Sequence, residues 1–431
     1  MHKWMNPPKP YKNLMYHLDD VKVVPEPLGV VLIIGPYNYP IKLISIPLHG
    51  AIAAGNCVIM KPSHLTPQCS TLLAKLVPKY LDKECFKVVL ADPSETKLLL
   101  KQKFDYIFAT CSAATGRVVA EAAARQMTPT SIQMGSKCPV YLDENLGGNF
   151  DRAVTKVIFN KYVNLGQMCM APDYVICTPK AQQQLVAIFE KTLKSLHGEN
   201  VQKSTTLGRL VNLEHVKRLE NLIRSTNGKI VYGGTVDKKD LWVSPTLVVD
   251  VHPDDILMKE EIFGPILPVV VVDGPAKAVE LIRTRGKPLA VYVFSNDRAT
   301  QDLFVTQTSS GGVSINDCIT YSAIEDLPFG GVGESGIGPK YHGQSTFLTF
   351  TNQKGVHRKK LNWFNQYTDR VKYPPLNGFK LFVAKYFLKA KSTREKSIAV
   401  FSILTVFYSV VFSPVIILFI AWILGGTSTE N

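Results

Sequence analysis

Between residues 29 and 142, apolar positions come in short unbroken blocks, separated by segments that carry small or polar residues at helical spacing. "VVLII" (30–34) leads into a Gly-Pro turn, then a helical stretch with Ala51, Ala53, Ala54 and Gly55, then "CVIMK" (57–61). Apolar runs of this length suit strands covered on both faces, and their alternation with helices predicts a parallel α/β sheet. The alternation continues through "FKVVLAD", "TKLLLKQKF", "YIFAT" and the helix "AATGRVVAEAAARQ", with a strand and a change of unit near 131–142. A second α/β block reaches to about residue 320, with strands at "DYVICT", "KIVYGG", "ILPVVVV" and "LAVYVFS". No internal repeat is present. Residues 353–396 are basic and contain prolines, and read as a linker.

The pattern changes after that linker. From Ser397 to Leu424 there is no charged residue. As a helix this stretch reaches ~42 Å, longer than a hydrocarbon core of about 30 Å. Lys380, Lys385, Lys389, Lys391, Arg394 and Lys396 lie just before it. Positive charge marks the cytosolic flank of a span, so the expectation is a C-terminal anchor with the body in the cytosol. The opening "MHKWMNPPKP" has no apolar run and is no signal peptide.

Composition narrows the chemistry. Lys plus Arg is 49 against 35 acidic residues, a net +14 that leans toward the C-terminal end and suits an anionic membrane surface. No dense basic block alternates with aromatics in the body, which argues against a nucleic-acid partner. The eight cysteines form no C-x-x-C pair and read as reduced cytosolic thiols. The nine histidines show no paired ligand spacing, so no metal site is expected.

Single motifs say little. No G-x-G-x-x-G follows a strand. "FATCSAATG" is a strand-to-helix junction where Ser112 can cap the helix and a phosphate can meet its N-terminus. Taken alone, Cys169 is a core thiol, Asn38 a turn residue and Glu260–Glu261 a solvated charge pair.

The ordered series is more specific: "GPYNYP" (35–40), "GNCVIMKPSH" (55–64), "FATCSAATG" (108–116), "QMGSK" (133–137), "GQMC" (166–169), "EEIFGP" (260–265), "SGGVSIND" (310–317) and "LPFGGVGESGIG" (327–338). It resembles the aldehyde dehydrogenase superfamily over roughly residues 4–352. "LPFGGVGESGIGPKYHG" and the apolar tail are similar to the class 3, fatty aldehyde dehydrogenase branch. The resemblance implies two Rossmann-type parallel-sheet domains, a small oligomerisation sheet and a C-terminal transmembrane helix. The expected divisions are a cofactor domain over 1–132 with oligomerisation strands near 14–27, a catalytic domain over 133–325, a return segment and oligomerisation strand over 326–352, a linker over 353–396 and the anchor over 397–424.

The resemblance also assigns roles. Cys169 attacks an aliphatic or fatty aldehyde, and Asn38 with the Cys169 N–H holds the oxyanion. Hydride leaves to NAD or NADP, and water with a carboxylate base releases the acid from the Cys169 thioester. Lys61 and Ser63 hold the adenosine ribose, Ser112 faces the pyrophosphate, and Glu261 and Phe263 hold the nicotinamide riboside. A homodimer at the endoplasmic reticulum membrane, facing the cytosol, is implied.

Four residues depart from the family pattern. Gln133 stands where the base Glu is expected, and an amide cannot take a proton, which leaves Glu261 as the other candidate. Ser136 and Cys111 replace glycines. His64 replaces a Glu at the adenosine ribose, which lifts repulsion against a 2′-phosphate and favours NADP binding beside NAD. The resemblance also starts inside the family's first helical region, so exposed apolar surface is expected on the cofactor domain. The alternative reading is an impaired relative that acts as a membrane-anchored binding or interaction protein.

Overall fold

In the computed structural model, residues 19–362 are described without a break, together with isolated residues on either side. Glu26–Asn352 form one compact unit built on two sheets. The first sheet has the order Gly336–Ile337, Thr130–Met134, Tyr106–Cys111, Val30–Ile34, Cys57–Lys61, Phe86–Val88. All of its neighbours are parallel except the first pair. Its centre is the apolar run read from the sequence: Val31, Leu32 and Ile33 are fully buried. Leu32 and Ile34 pack with Ile107, Ala109, Val119, Ala123 and Ile132. The helices Lys42–Ala53 and Ala113–Arg125 make the crossovers, the second capped by Ser112, whose Oγ accepts the Thr115 N–H.

The second sheet runs Gly312–Ile315, Ala290–Phe294, Cys138–Leu142, Pro172–Cys177, Ile266–Val271, Thr246–Val249, Lys229–Tyr232. Only the last pair is antiparallel. These two sheets are the pair of α/β halves expected.

Boundaries differ from the expectation in two places. Strand Thr130–Met134 runs through position 132, and Gly336–Ile337 returns to pair with Gln133 and Ile132. The cofactor half therefore includes part of the return segment. Gly343–Thr349 is a helix, where an oligomerisation strand was expected. Its Thr346 sits where a Cβ on Gly50 would fall, 2.2 Å from Cγ2, so the glycine lets this helix close onto helix Lys42–Ala53.

The second unit, over His2–Pro25 and Gln353–Asn431, is described only in part. Strands Asp20–Pro27 and Thr351–Arg358 pair with each other in a two-stranded sheet. The start of the expected linker is thus strand, pinned by His357 Nε2 at 2.8 Å from Asp19 Oδ2. Except for Phe401, Ser402 and Thr405, the anchor segment 397–424 lies outside the described residues. Among the described residues no helix is long and apolar enough to cross a membrane.

Candidate active site

In an open parallel sheet, ligands bind beyond the carboxyl ends of the strands, where the strand order reverses. Here that point lies between Val30–Ile34 and Tyr106–Cys111, since the chain builds outward through Cys57–Lys61 and Phe86–Val88 before crossing back. Gly35–Pro40 follows one of the two strands and Ser112 the other. Lys61 and Ser63 end the neighbouring strand, and both are buried. Desolvation pulls the Lys61 pKa down, and the Asp92 carboxylate opposes that shift. His64 is exposed and lies within electrostatic reach of Asp92, whose own pKa is depressed chiefly by the Glu95 N–H. Asp92 thus brings a carboxylate into the neighbourhood of His64, the position where the family's Glu is replaced. Desolvation at Cys111 pushes its thiol up to about 12.

The second sheet supplies the thiol. Cys169 follows a tight turn in which Asn164 and Leu165 take left-handed conformations. Gln167, 2% exposed, ties that turn down: its Nε2 donates to Asn164 O and Arg209 O at 3.1 and 3.0 Å, and its Oε1 accepts the Val211 N–H at 3.1 Å. Gly166 lies so close to Gly264 that a Cβ would fall 2.3 Å from the Gly264 carbonyl oxygen. "GQMC" and "EEIFGP", far apart in sequence, thus meet backbone to backbone.

That contact brings Glu261 to Cys169. Desolvation, then the Glu261 charge, push the Cys169 thiol up to about 12, while the N–H groups of Cys169 and Met170 favour the thiolate. Glu261 is itself raised well above an ordinary carboxyl, first by desolvation and then by Asp173, with the Ser136 N–H and the Lys137 and Lys161 ammoniums opposing. Its backbone is gripped on both sides. Lys137 Nζ donates to Glu260 O at 3.0 Å, Asp173 Oδ1 accepts the Ile262 N–H at 3.0 Å, and Arg218 donates to Ile262 O. Lys137 and Asp173 pair with each other. Phe263 takes a left-handed conformation and packs edge-on against Tyr37 at 5.8 Å.

Tyrosines complete the pocket wall. Tyr39, Tyr321 and Tyr341 all feel the Cys169 charge. The hydroxyls of Tyr37, Tyr39 and Tyr321 are buried without a hydrogen-bond partner among the described residues. Asn38, 6% exposed, sits between two of these tyrosines, and its amide bonds to no described residue.

Gln133 lies on strand Thr130–Met134, buried, at the edge where Gly336 pairs with it. Its Oε1 accepts the Gly331 N–H at 2.8 Å, so the amide holds the glycine turn of "LPFGGVG". The Ser136 Oγ accepts the Leu289 N–H at 2.7 Å, while its own N–H reaches Glu261. Sequence reasoning missed Tyr39, Lys137, Lys161, Gln167, Asp173 and Arg218. Of these, Lys137, Gln167 and Tyr39 lay inside quoted motifs; the others carried no signal short of the fold.

Cys169 thus lies with two backbone N–H groups and the Glu261 carboxyl around it, on a scaffold of two largely parallel sheets. The chain belongs to the aldehyde dehydrogenase family, whose model (Aldehyde dehydrogenase family) matches residues 13–356. It is 44% identical over 377 residues to Aldehyde dehydrogenase family 3 member A2 of Mus musculus, covering 88% of this chain and 76% of that one. It is 43% identical over 357 residues to the Aldehyde dehydrogenase, dimeric NADP-preferring, of Rattus norvegicus, covering 83% and 77%. The solved structure titled Substrate bound state of Staphylococcus Aureus AldH superposes with a TM-score of 0.85 at 38% identity, over 90% of this chain and 83% of that one.

Proposed function

We propose that this protein oxidises long-chain aliphatic aldehydes to carboxylic acids with NAD or NADP, through a covalent intermediate on Cys169. The observation that carries the reading is that Cys169 lies within electrostatic reach of both the Glu261 carboxyl and Tyr39, the residue after Asn38. The dinucleotide fits the residues present. Lys61, Ser63 and Ser112 stand at the strand ends around the switch point, and Thr110 Oγ1 and Tyr37 Oη are buried polar atoms without partners among the described residues. When bound, the oxidised nicotinamide supplies the two-electron acceptor.

The chain's own residues account for the rest. Cys169 Sγ bonds to the aldehyde carbon as its thiol proton passes to Glu261 and from there to solvent, and the carbonyl π pair moves onto the oxygen. The Asn38 amide and the Cys169 N–H stabilise the oxyanion, and such donors are worth roughly 10²–10³ in rate. After oxidation a thioester remains on Cys169. Glu261 takes a proton from water, the water oxygen bonds to the acyl carbon, and the C–S bond breaks to return the thiol. A carboxyl of raised pKa suits this, because a base works best near the operating pH. Gln133 cannot serve, since a neutral amide takes no proton from water. With nucleophile, oxyanion donor and a carboxyl base all present, turnover is favoured over the binding-protein alternative.

The uncharged stretch 397–424 and the basic flank before it support a tail anchor in the endoplasmic reticulum membrane, where a lipid-soluble aldehyde partitions. A homodimer is supported by the printed name of the rat relative.

Mixing protein, NAD or NADP and a long-chain aldehyde, and following the reduced cofactor, tests the reading. A sustained rate is expected. A single equivalent followed by a stall assigns acylation without deacylation and removes Glu261 as the base. No reduction by folded protein overturns the proposal. Truncation after Lys396 is expected to release the protein from membranes, and retention there overturns the anchor.

A further inference from the structure

Position 133 has a neighbour that the family motifs do not explain. Lys340 donates through Nζ to Gly330 O, to Gly331 O at 3.0 Å and to Gly311 O at 3.5 Å. Its three protons are thereby all placed on carbonyls, so it offers no lone pair and is no base. No described carboxylate pairs with it, and nothing offsets the desolvation that lowers its pKa. Gln133 closes on the same turn from the other side. A Cβ built on Gly330, whose φ is +148°, would stand 2.9 Å from Gln133 Nε2 and 3.1 Å from Lys340 Cδ. The amide nitrogen of Gln133 and the Lys340 Cδ thus flank the same Gly330 position, no more than 6.0 Å from each other, with the ammonium two bonds beyond Cδ.

We propose that Gln133 and Lys340 form one clamp on the Gly330–Gly331 turn, and that a carboxylate placed at 133 would pair with the Lys340 ammonium instead of acting as a base. Lys340 is thus a positioning residue that makes position 133 a structural site in this chain. The consequence for deacylation rests on the aldehyde-oxidising function proposed above; the clamp itself does not. The other ionisable groups near the turn include Tyr321, Tyr341, His342 and, on its outer side, Glu334 and Lys287. All are the same in every variant below.

The full chain is compared with Gln133→Glu, Lys340→Met and the double variant, by thermal unfolding between pH 5 and 8. A carboxyl introduced at 133 and paired with the Lys340 ammonium has a depressed pKa. Its contribution is then complete above the unfolded value of ~4.3, and the Gln133→Glu difference stays flat over this range. In the Lys340→Met background the buried carboxyl is raised instead, and the difference falls by ~2–4 °C or more as pH rises. A fall of equal size in both backgrounds overturns the clamp. If the variants carrying Lys340→Met do not fold, infrared difference spectra of Gln133→Glu alone decide: an ionised carboxylate at pH 5 supports the pair, a protonated one overturns it. In the aldehyde assay, Gln133→Glu alone is expected not to raise the sustained rate. A rise of ~10-fold or more, within the range a general base supplies, overturns the proposal. An inactive wild type would sink the functional reading while leaving the unfolding and infrared arms intact.

Discussion

The carboxyl of Glu261 rests on the Cα of Gly135: a Cβ at that glycine would fall 1.9 Å from Glu261 Oε2. The two residues belong to different motifs and different loops, and only the absence of a side chain at 135 lets the carboxyl occupy its place beside Cys169.

Gly135→Ala is therefore expected to displace Glu261 while leaving the sheets intact. Sustained aldehyde oxidation should fall by ~10²–10⁴, the range for a lost general base. Aldehyde turnover and thermal unfolding of the same preparation check this.

Glu261→Gln should separate reactivity from stability. The Glu261 charge raises the Cys169 pKa, so alkylation of Cys169 should reach half its limiting rate at lower pH in the variant. A carboxyl whose folded pKa is raised binds its proton more tightly when folded, so its cost appears as pH rises above the unfolded value. The variant should accordingly gain stability over wild type at pH 8 and little at pH 4, as read by denaturant unfolding.

Lys137→Met removes the partner of Asp173 in a pair whose side chains are 11% and 4% exposed. An uncompensated buried carboxylate costs roughly 3–5 kcal/mol. Urea unfolding should show a loss of that order, and adding Asp173→Asn should recover part of it.

Lys161 is fully buried, its Nζ has no hydrogen-bond partner among the described residues, and desolvation lowers its pKa to about 8. A lysine depressed in the folded state costs stability below its folded pKa and regains it as pH rises toward the unfolded one. Wild-type stability should gain on the order of 3 kcal/mol between about pH 8 and 10.5 from this residue. That rise should be missing from Lys161→Met.

Asp92→Asn keeps a helix-capping oxygen but removes the negative charge near Lys61 and His64. The ratio of Kd for NAD to Kd for NADP should rise several-fold, checked by titration of each cofactor.

Read as sequence, the chain determined its alternation of buried strands and helices, the parallel α/β class and the family its ordered motifs resemble. These signals are local: unbroken apolar runs such as Val30–Ile34 are forced inward by hydrophobic burial, and the motifs are contiguous. Tertiary structure decided what needed distance in space. Gly166 against Gly264, and Gly135 against Glu261, are approaches between segments about a hundred residues or more apart, and no local pattern encodes which pair will touch. The helix at 343–349 was settled by the Gly50–Thr346 contact. Nothing in the sequence around Gln133 says that its amide meets Gly331; that follows from a return strand that brings residues 330–340 to the sheet edge.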